Sequence, residues 1–228
     1  MTEAQAREEI CRVGRSLFER GYVHATAGNI SVRLDDGYLI TPTDACLGGL
    51  EPQRLARLDH EGRQQGGDRA SKTLALHRRI YDSTRDFAEP VRCIIHTHST
   101  HCVALTLETP LAAAPSTLDA ELLPAVTPYF VMKVGRVPVL PYGRPGAPEV
   151  AEQVAATIAR YARRGLALRA VMLPRLGPNV WNGSPATAMA VLEELEETAR
   201  LWLLSGRRAA PLDESRIDDL RRQFGACW

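Results

Sequence analysis

Three of the six histidines in this chain fall within six positions, His96, His98 and His101. The run Cys93-Ile94-Ile95-His96-Thr97-His98 reads as a buried strand entering a turn. Residues two apart on a strand point to one side, so His96 and His98 project together. Two such imidazoles can hold a divalent metal; packed histidines are the plainer alternative. His101 is offset by an odd step and would face away on a continuing strand. A second stretch with chemical potential is Thr26-Ala27-Gly28-Asn29, a small-residue loop before a strand. Its backbone N–H groups and hydroxyl could cradle an anion, although an ordinary tight turn has the same composition. Thr41-Pro42-Thr43-Asp44 is another hydroxyl-rich turn. Lys72 could attract an anion; a solvated lysine at a helix start is the alternative.

These side chains need elements to hold them. Residues 3 to 20 carry Ile10, Val13, Leu17 and Phe18 at helical spacing, and Gly21 ends the helix. Ile30, Val32 and Leu34 alternate as in a strand, Asp36-Gly37 signals a hairpin, and Tyr38 to Thr41 forms its second arm. Residues 51 to 69 are polar and turn-rich. Ser71 to Asp82 reads as a helix with Ser71 as its N-cap, and Ser99 and Thr100 suit the cap of another. A helix over Pro148 to Arg163, a buried strand over Ala167 to Leu173 and a short strand at Val180-Trp181 follow. Pro185 to Leu204 has the clearest apolar stripe, and the last twenty residues add a charged helix.

With 228 residues, 45% hydrophobic and 24% charged, the chain fits one soluble α/β domain over 1–228. The net charge of +1 is spread along the chain and leaves no footprint for nucleic acid or an anionic membrane. No apolar run approaches a membrane span, and the polar N-terminus is no secretory signal. Five widely spaced cysteines read as reduced thiols, which places the protein in the cytoplasm.

The ordered set Thr26-Ala27-Gly28-Asn29-Ile30-Ser31, Ile40-Thr41-Pro42-Thr43, Ser71 before a helix, His96-Thr97-His98, and Val137-Pro138 with Pro141-Tyr142 resembles the class II aldolase/adducin family. The resemblance spans about residues 5 to 205. Within the family, Ser71-Lys72, Thr127-Pro128-Tyr129, Val131 to Pro138 and Glu193 to Ala199 look most like the 3-oxo-tetronate 4-phosphate decarboxylase branch. The resemblance implies a three-layer α/β/α sandwich around a largely antiparallel sheet. It also implies a homotetramer with active sites between subunits. Asn29, Thr43 and Ser71 would bind the substrate phosphate, with Thr26 and Gly28 in the same loop. His96 and His98 would bind a divalent metal, zinc by family habit. Tyr129 stands near the position where the family supplies a tyrosine from a neighbouring subunit.

Two departures bear on mechanism. The family usually carries a glutamate, a base that can reach the metal, where this chain has Thr73. It also carries a third histidine ligand where Pro174-Arg175-Leu176-Gly177 places Leu176. His77, His101 or a substrate oxygen are the candidates to complete the shell. A 3-oxo acid loses carbon dioxide without a proton-abstracting base, so Thr73 suits a decarboxylase better than an aldolase. The sequence therefore points to metal-assisted decarboxylation of 3-oxo-tetronate 4-phosphate to dihydroxyacetone phosphate, in sugar-acid catabolism. The expected partner is a small phosphorylated sugar acid, with no nucleic acid and no membrane. A sugar-phosphate aldolase and a non-catalytic, adducin-like interaction module are the alternatives.

Overall fold

The computed structural model describes residues 1–107 and 120–228. Seven strands form one sheet in the order β4-β3-β2-β1-β5-β7-β6, and every neighbouring pair is antiparallel. They are β1 (Asn29–Leu34), β2 (Gly37–Ile40), β3 (Ala56–Leu58), β4 (Gln64–Gly66), β5 (Cys93–His96), β6 (Ala170–Leu173) and β7 (Gly177–Asn182). The helices are α1 (Glu3–Glu19), α2 (Leu74–Ser83), α3 (Thr100–Ala104), α4 (Pro148–Ala162), α5 (Pro185–Leu204) and α6 (Glu214–Phe224).

Alternation along the strands builds a core on each face of the sheet. Ile30, Val32, Cys93, Ile95 and Val180 pack with Ile10, Leu17, Leu192 and Leu195 of α1 and α5. Ile40, Ile94, Val171 and Trp181 pack on the other face with Ile80, Tyr81, Val154 and Ile158 of α2 and α4. The result is the three-layer α/β/α arrangement expected from the sequence.

The hairpin turn lies one residue earlier than its dipeptide signal. Leu34 pairs with Gly37, so Asp35 and Asp36 form the turn and Gly37 opens β2. A Cβ at Gly37 would lie on the Leu58 carbonyl, which is why glycine starts that strand. The polar stretch 51 to 69 holds two short strands, β3 and the edge strand β4, that sequence patterning missed. β4 is exposed throughout and has no apolar alternation to reveal it.

Two caps also differ from expectation. α2 begins at Leu74 with Thr73 at the N-cap position, so Ser71 precedes the helix rather than capping it. Ser99 occupies the N-cap position of α3 without a side-chain capping bond. The carboxylate of Glu196 on α5 does that work, accepting from the backbone N–H groups of His101 (2.8 Å) and Cys102 (3.0 Å).

Candidate active site

One end of the sheet opens into a cavity of about 470 Å³. Its wall includes Thr26, Gly28, Asn29, Thr43, Ser71, Lys72, Thr73, His96 and His98, so nine of the ten expected site residues converge there, with one exception described below. The convergence follows from pairing. Asn29 stands opposite His96 across β1 and β5, which brings the small-residue loop to the paired histidines. The Ser71 backbone N–H donates to the Thr41 carbonyl (3.2 Å), and Pro42 bridges to Ala70, which draws Ser71 beside the Thr43 turn.

The loop before β1 is tightly wound. Ala25 and Gly28 both have positive φ, +47° and +85°. A Cβ at Gly28 would approach the His96 carbonyl oxygen to 2.9 Å and Val23 Cγ1 to 2.8 Å. Glycine there lets the loop lie directly against the strand that carries His96. The Ser71 and Thr73 hydroxyls pair at 2.9 Å, which sets both at the start of α2.

His96 is buried, and its Nδ1 lies 2.9 Å from the Pro178 carbonyl oxygen. A carbonyl only accepts, so Nδ1 carries the proton and Nε2 keeps a free lone pair. Burial, then the neighbouring His98, push the His96 pKa down to about 4 against the opposing pull of the Pro178 carbonyl. Burial, then His24, lower that of His98. Both imidazoles are therefore neutral at pH 7, the form that binds a metal. Their ring centroids are 5.1 Å apart. Two imidazoles on one tetrahedral ion would have centroids roughly 5 Å apart, given Zn–N bonds of about 2.0–2.1 Å.

The remaining donor positions differ from a closed family-type shell. Thr73 and Leu176 both line the cavity, so the residues standing where the resemblance puts glutamate and histidine face the site and supply no carboxylate and no imidazole. Among the described residues, no group of three or more His, Cys, Asp or Glu could hold a metal ion. The donor set fits an ion held by two imidazoles with its other positions open, and does not fit a three-histidine or histidine–glutamate cage.

The other histidines considered for the shell have different partners. His101 Nδ1 lies 2.8 Å from Glu196 Oε1, and His101 is not on the cavity wall. His77 is wholly buried beneath the site, with Nδ1 2.7 Å from Ser31 Oγ. Burial, then His96, lower its pKa to about 3. Tyr129 is the exception among the expected site residues: it is 62% exposed and does not line the cavity.

The cavity also holds residues that the sequence reading passed over. Arg144 lines it from the turn between Gly143 and Ala147, and a cation amid glycine and proline was the available signal. Asn179 lines it from β7, and a polar residue between Pro178 and Val180-Trp181 in a buried strand was the signal there. Arg175, beside Leu176, turns elsewhere: its N–H donates to Thr106 Oγ1 (2.9 Å) and its guanidinium to the Leu107 carbonyl (3.1 Å).

Among the described residues, no helix is long and apolar enough to cross a membrane.

The chain is 48% identical over 234 residues to a Cupriavidus necator protein named 3-oxo-tetronate 4-phosphate decarboxylase, covering 100% of this chain and 99% of that protein. A Haemophilus influenzae protein of the same name is 37% identical, covering 98% and 99%. A crystal structure of YgbL from Escherichia coli, described as a putative aldolase/epimerase/decarboxylase, superposes with a TM-score of 0.82 at 35% identity, covering 96% and 99%. The model of the class II aldolase and adducin N-terminal domain matches residues 8–203. With sequence, fold and cavity in agreement, the chain belongs to the class II aldolase and adducin family.

Proposed function

We propose that the protein is a carbon–carbon lyase that decarboxylates 3-oxo-tetronate 4-phosphate to dihydroxyacetone phosphate, in the breakdown of sugar acids. The observation that carries this reading is one cavity lined by the small-residue loop, the Thr43 and Ser71 hydroxyls and two neutral imidazoles, with Thr73 rather than a carboxylate on its wall. The similarity to proteins named for this decarboxylation supports it.

Asn29, Thr43 and Ser71, with Thr26 and Gly28 in the same loop, bind the substrate phosphate. Lys72 and Arg144, both exposed on the cavity wall, attract a substrate that carries both a carboxylate and a phosphate. His96 and His98 hold a divalent ion, for which zinc is the family expectation. Such an ion supplies, when bound, Lewis-acid polarisation of the 3-oxo group. The reaction breaks the C1–C2 bond. C1 departs from C2 as carbon dioxide, the electron pair of the broken bond enters the C2–C3 enediolate, and a proton then returns to C2. No base is needed for the first step. The neutral Thr73 hydroxyl spares the substrate carboxylate a like charge beside it.

The returning proton needs a donor. Tyr129 serves if a neighbouring subunit presents it, because its exposed ring lies outside its own chain's cavity. A cytoplasmic homotetramer is part of this reading.

The deciding experiment measures carbon dioxide and dihydroxyacetone phosphate released from 3-oxo-tetronate 4-phosphate by the full chain loaded with a divalent ion. Stoichiometric release of both, lost in His96→Ala/His98→Ala, is expected. No carbon dioxide, together with rapid solvent exchange of a carbon-bound proton of dihydroxyacetone phosphate, would overturn the proposal in favour of an aldolase.

A further inference from the structure

The floor of the cavity is one row of the sheet. Asn29 on β1, His96 on β5 and Asn179 on β7 stand in direct register, His96 between the two asparagines. Residues opposed in this way share a face, with Cβ atoms about 4.5–5.5 Å apart. Asn179 is 0% exposed, and no group among the described residues hydrogen-bonds either its Oδ1 or its Nδ2. Leaving both ends of a buried carboxamide unmet is costly, and an apolar residue of similar size would avoid the cost. Packing therefore does not explain this side chain.

Its surroundings do. The preceding residue, Pro178, fixes the His96 tautomer through its carbonyl and leaves Nε2 as the free nitrogen. Leu176, three residues back along the same segment, occupies the lost ligand position and faces the same cavity. β7 thus orients one imidazole and carries a spare oxygen donor directly across from it. Both amide atoms are shut off from bulk water. An ion bound at about 2.0–2.3 Å needs less room than a water molecule would.

We propose that Asn179 is a third protein donor to the divalent ion, its Oδ1 replacing the ligand lost at Leu176. This inference rests on the two-histidine site proposed above. Two imidazoles and a carboxamide oxygen form a harder donor set than three imidazoles. Preference therefore moves from Zn²⁺ toward oxygen-tolerant ions such as Mn²⁺.

The test titrates metal-free full-length protein with Mn²⁺ and with Zn²⁺ by calorimetry, and records the melting temperature of each metal-free variant. The unmodified protein should bind about one ion per chain. Asn179→Leu should weaken Mn²⁺ binding by roughly tenfold or more. Its metal-free form should melt no lower than the unmodified protein, because an apolar side chain replaces an unpaired amide. Asn179→Asp should tighten Mn²⁺ binding, since a carboxylate keeps the oxygen and adds charge. If the unmodified protein binds an ion and Asn179→Leu binds it equally well, the inference falls and the two-histidine site stands. If the unmodified protein binds neither ion, both fall. A lower melting temperature for Asn179→Leu with unchanged ion affinity would make Asn179 a structural residue and overturn the inference.

Discussion

Thr73→Glu separates decarboxylation from aldol-type chemistry in one variant. The substitution suits the fold. Thr73 is the N-cap residue of α2, half-buried, and its side chain makes no capping bond. A carboxylate at a helix N-terminus is favoured by about 0.3–1 kcal/mol, so the variant should fold and remain ionised. Its chemical effect follows from the dimensions of the site. A cavity of about 470 Å³ is about 10 Å across if treated as a sphere. A wall carboxylate and a central substrate carboxylate are then about 5 Å apart, where like charges repel by about 3 kcal/mol at an effective dielectric of about 20. The repulsion opposes substrate binding, so carbon dioxide release at subsaturating substrate, read as kcat/KM, should slow by roughly 100-fold. Proton exchange at carbon should rise instead, by roughly 10²–10⁴-fold, the usual contribution of a positioned general base. Carbon dioxide release from 3-oxo-tetronate 4-phosphate reports the first rate. Deuterium incorporation into dihydroxyacetone phosphate, followed by NMR, reports the second. Rates that rise or fall together would refute the reasoning, because a base and a repulsive charge cannot then be the same group.

Other expectations follow from the same geometry. Ser71→Ala should weaken a phosphorylated ligand by roughly 1.5–3 kcal/mol, the value of a hydrogen bond to a charged group, and leave its dephosphorylated analogue unaffected; calorimetric titration of both checks this. Glu196→Ala removes the acceptor for His101 N, His101 Nδ1 and Cys102 N and should cost about 3 kcal/mol or more in denaturant unfolding. His77 has a folded pKa near 3, below its ordinary value of 6.5. Between those values the unfolded chain binds the extra proton, so stability is full above about pH 6.5 and falls as pH drops toward 3. His77→Asn should flatten that slope in unfolding measured against pH. Tyr129→Phe should lower kcat without changing the melting temperature, since the ring is exposed on its own chain; unchanged turnover would remove Tyr129 from the reaction.

Much of the fold was legible because burial writes itself into spacing. Ile30, Val32 and Leu34 alternate and face the α1/α5 layer, and the stripe from Ala188 to Ala199 is the buried face of α5. The two short strands at one end of the sheet were not legible. β3 and β4 are three residues each, and Gln64-Gln65-Gly66 buries nothing, so pairing with β3 is its only structural signature. The cap of α3 was hidden for another reason. Ser99 has the right chemistry in the right place, yet the acceptor is Glu196, 95 residues from His101 along the chain. Local propensity cannot report a partner supplied by tertiary packing.

The site was legible in proportion to how strongly its residues break local rules. The two histidines ending an apolar strand stand out, and strand periodicity alone puts them on one side. The resemblance was needed for Thr43 and Ser71, whose hydroxyls are ordinary turn chemistry until register and the Ser71–Thr41 bond bring them together. Asn179, a carboxamide inside a buried strand, breaks the rule too, and the sequence reading passed over it because the flanking Pro178 and Val180-Trp181 dominate the pattern. Among the described residues, the buried side-chain atoms with no hydrogen-bond partner include Asn29 Oδ1, His77 Nε2 and both amide atoms of Asn179. Asn29 and Asn179 flank His96 on the sheet, and His77 lies close enough for His96 to depress its pKa. A sheet selected only for stability would fill these positions with apolar side chains, as it does one step further along at Ile94 and Trp181. Unmet polar groups concentrated around one imidazole are what a folded chain keeps when something else is meant to bind there.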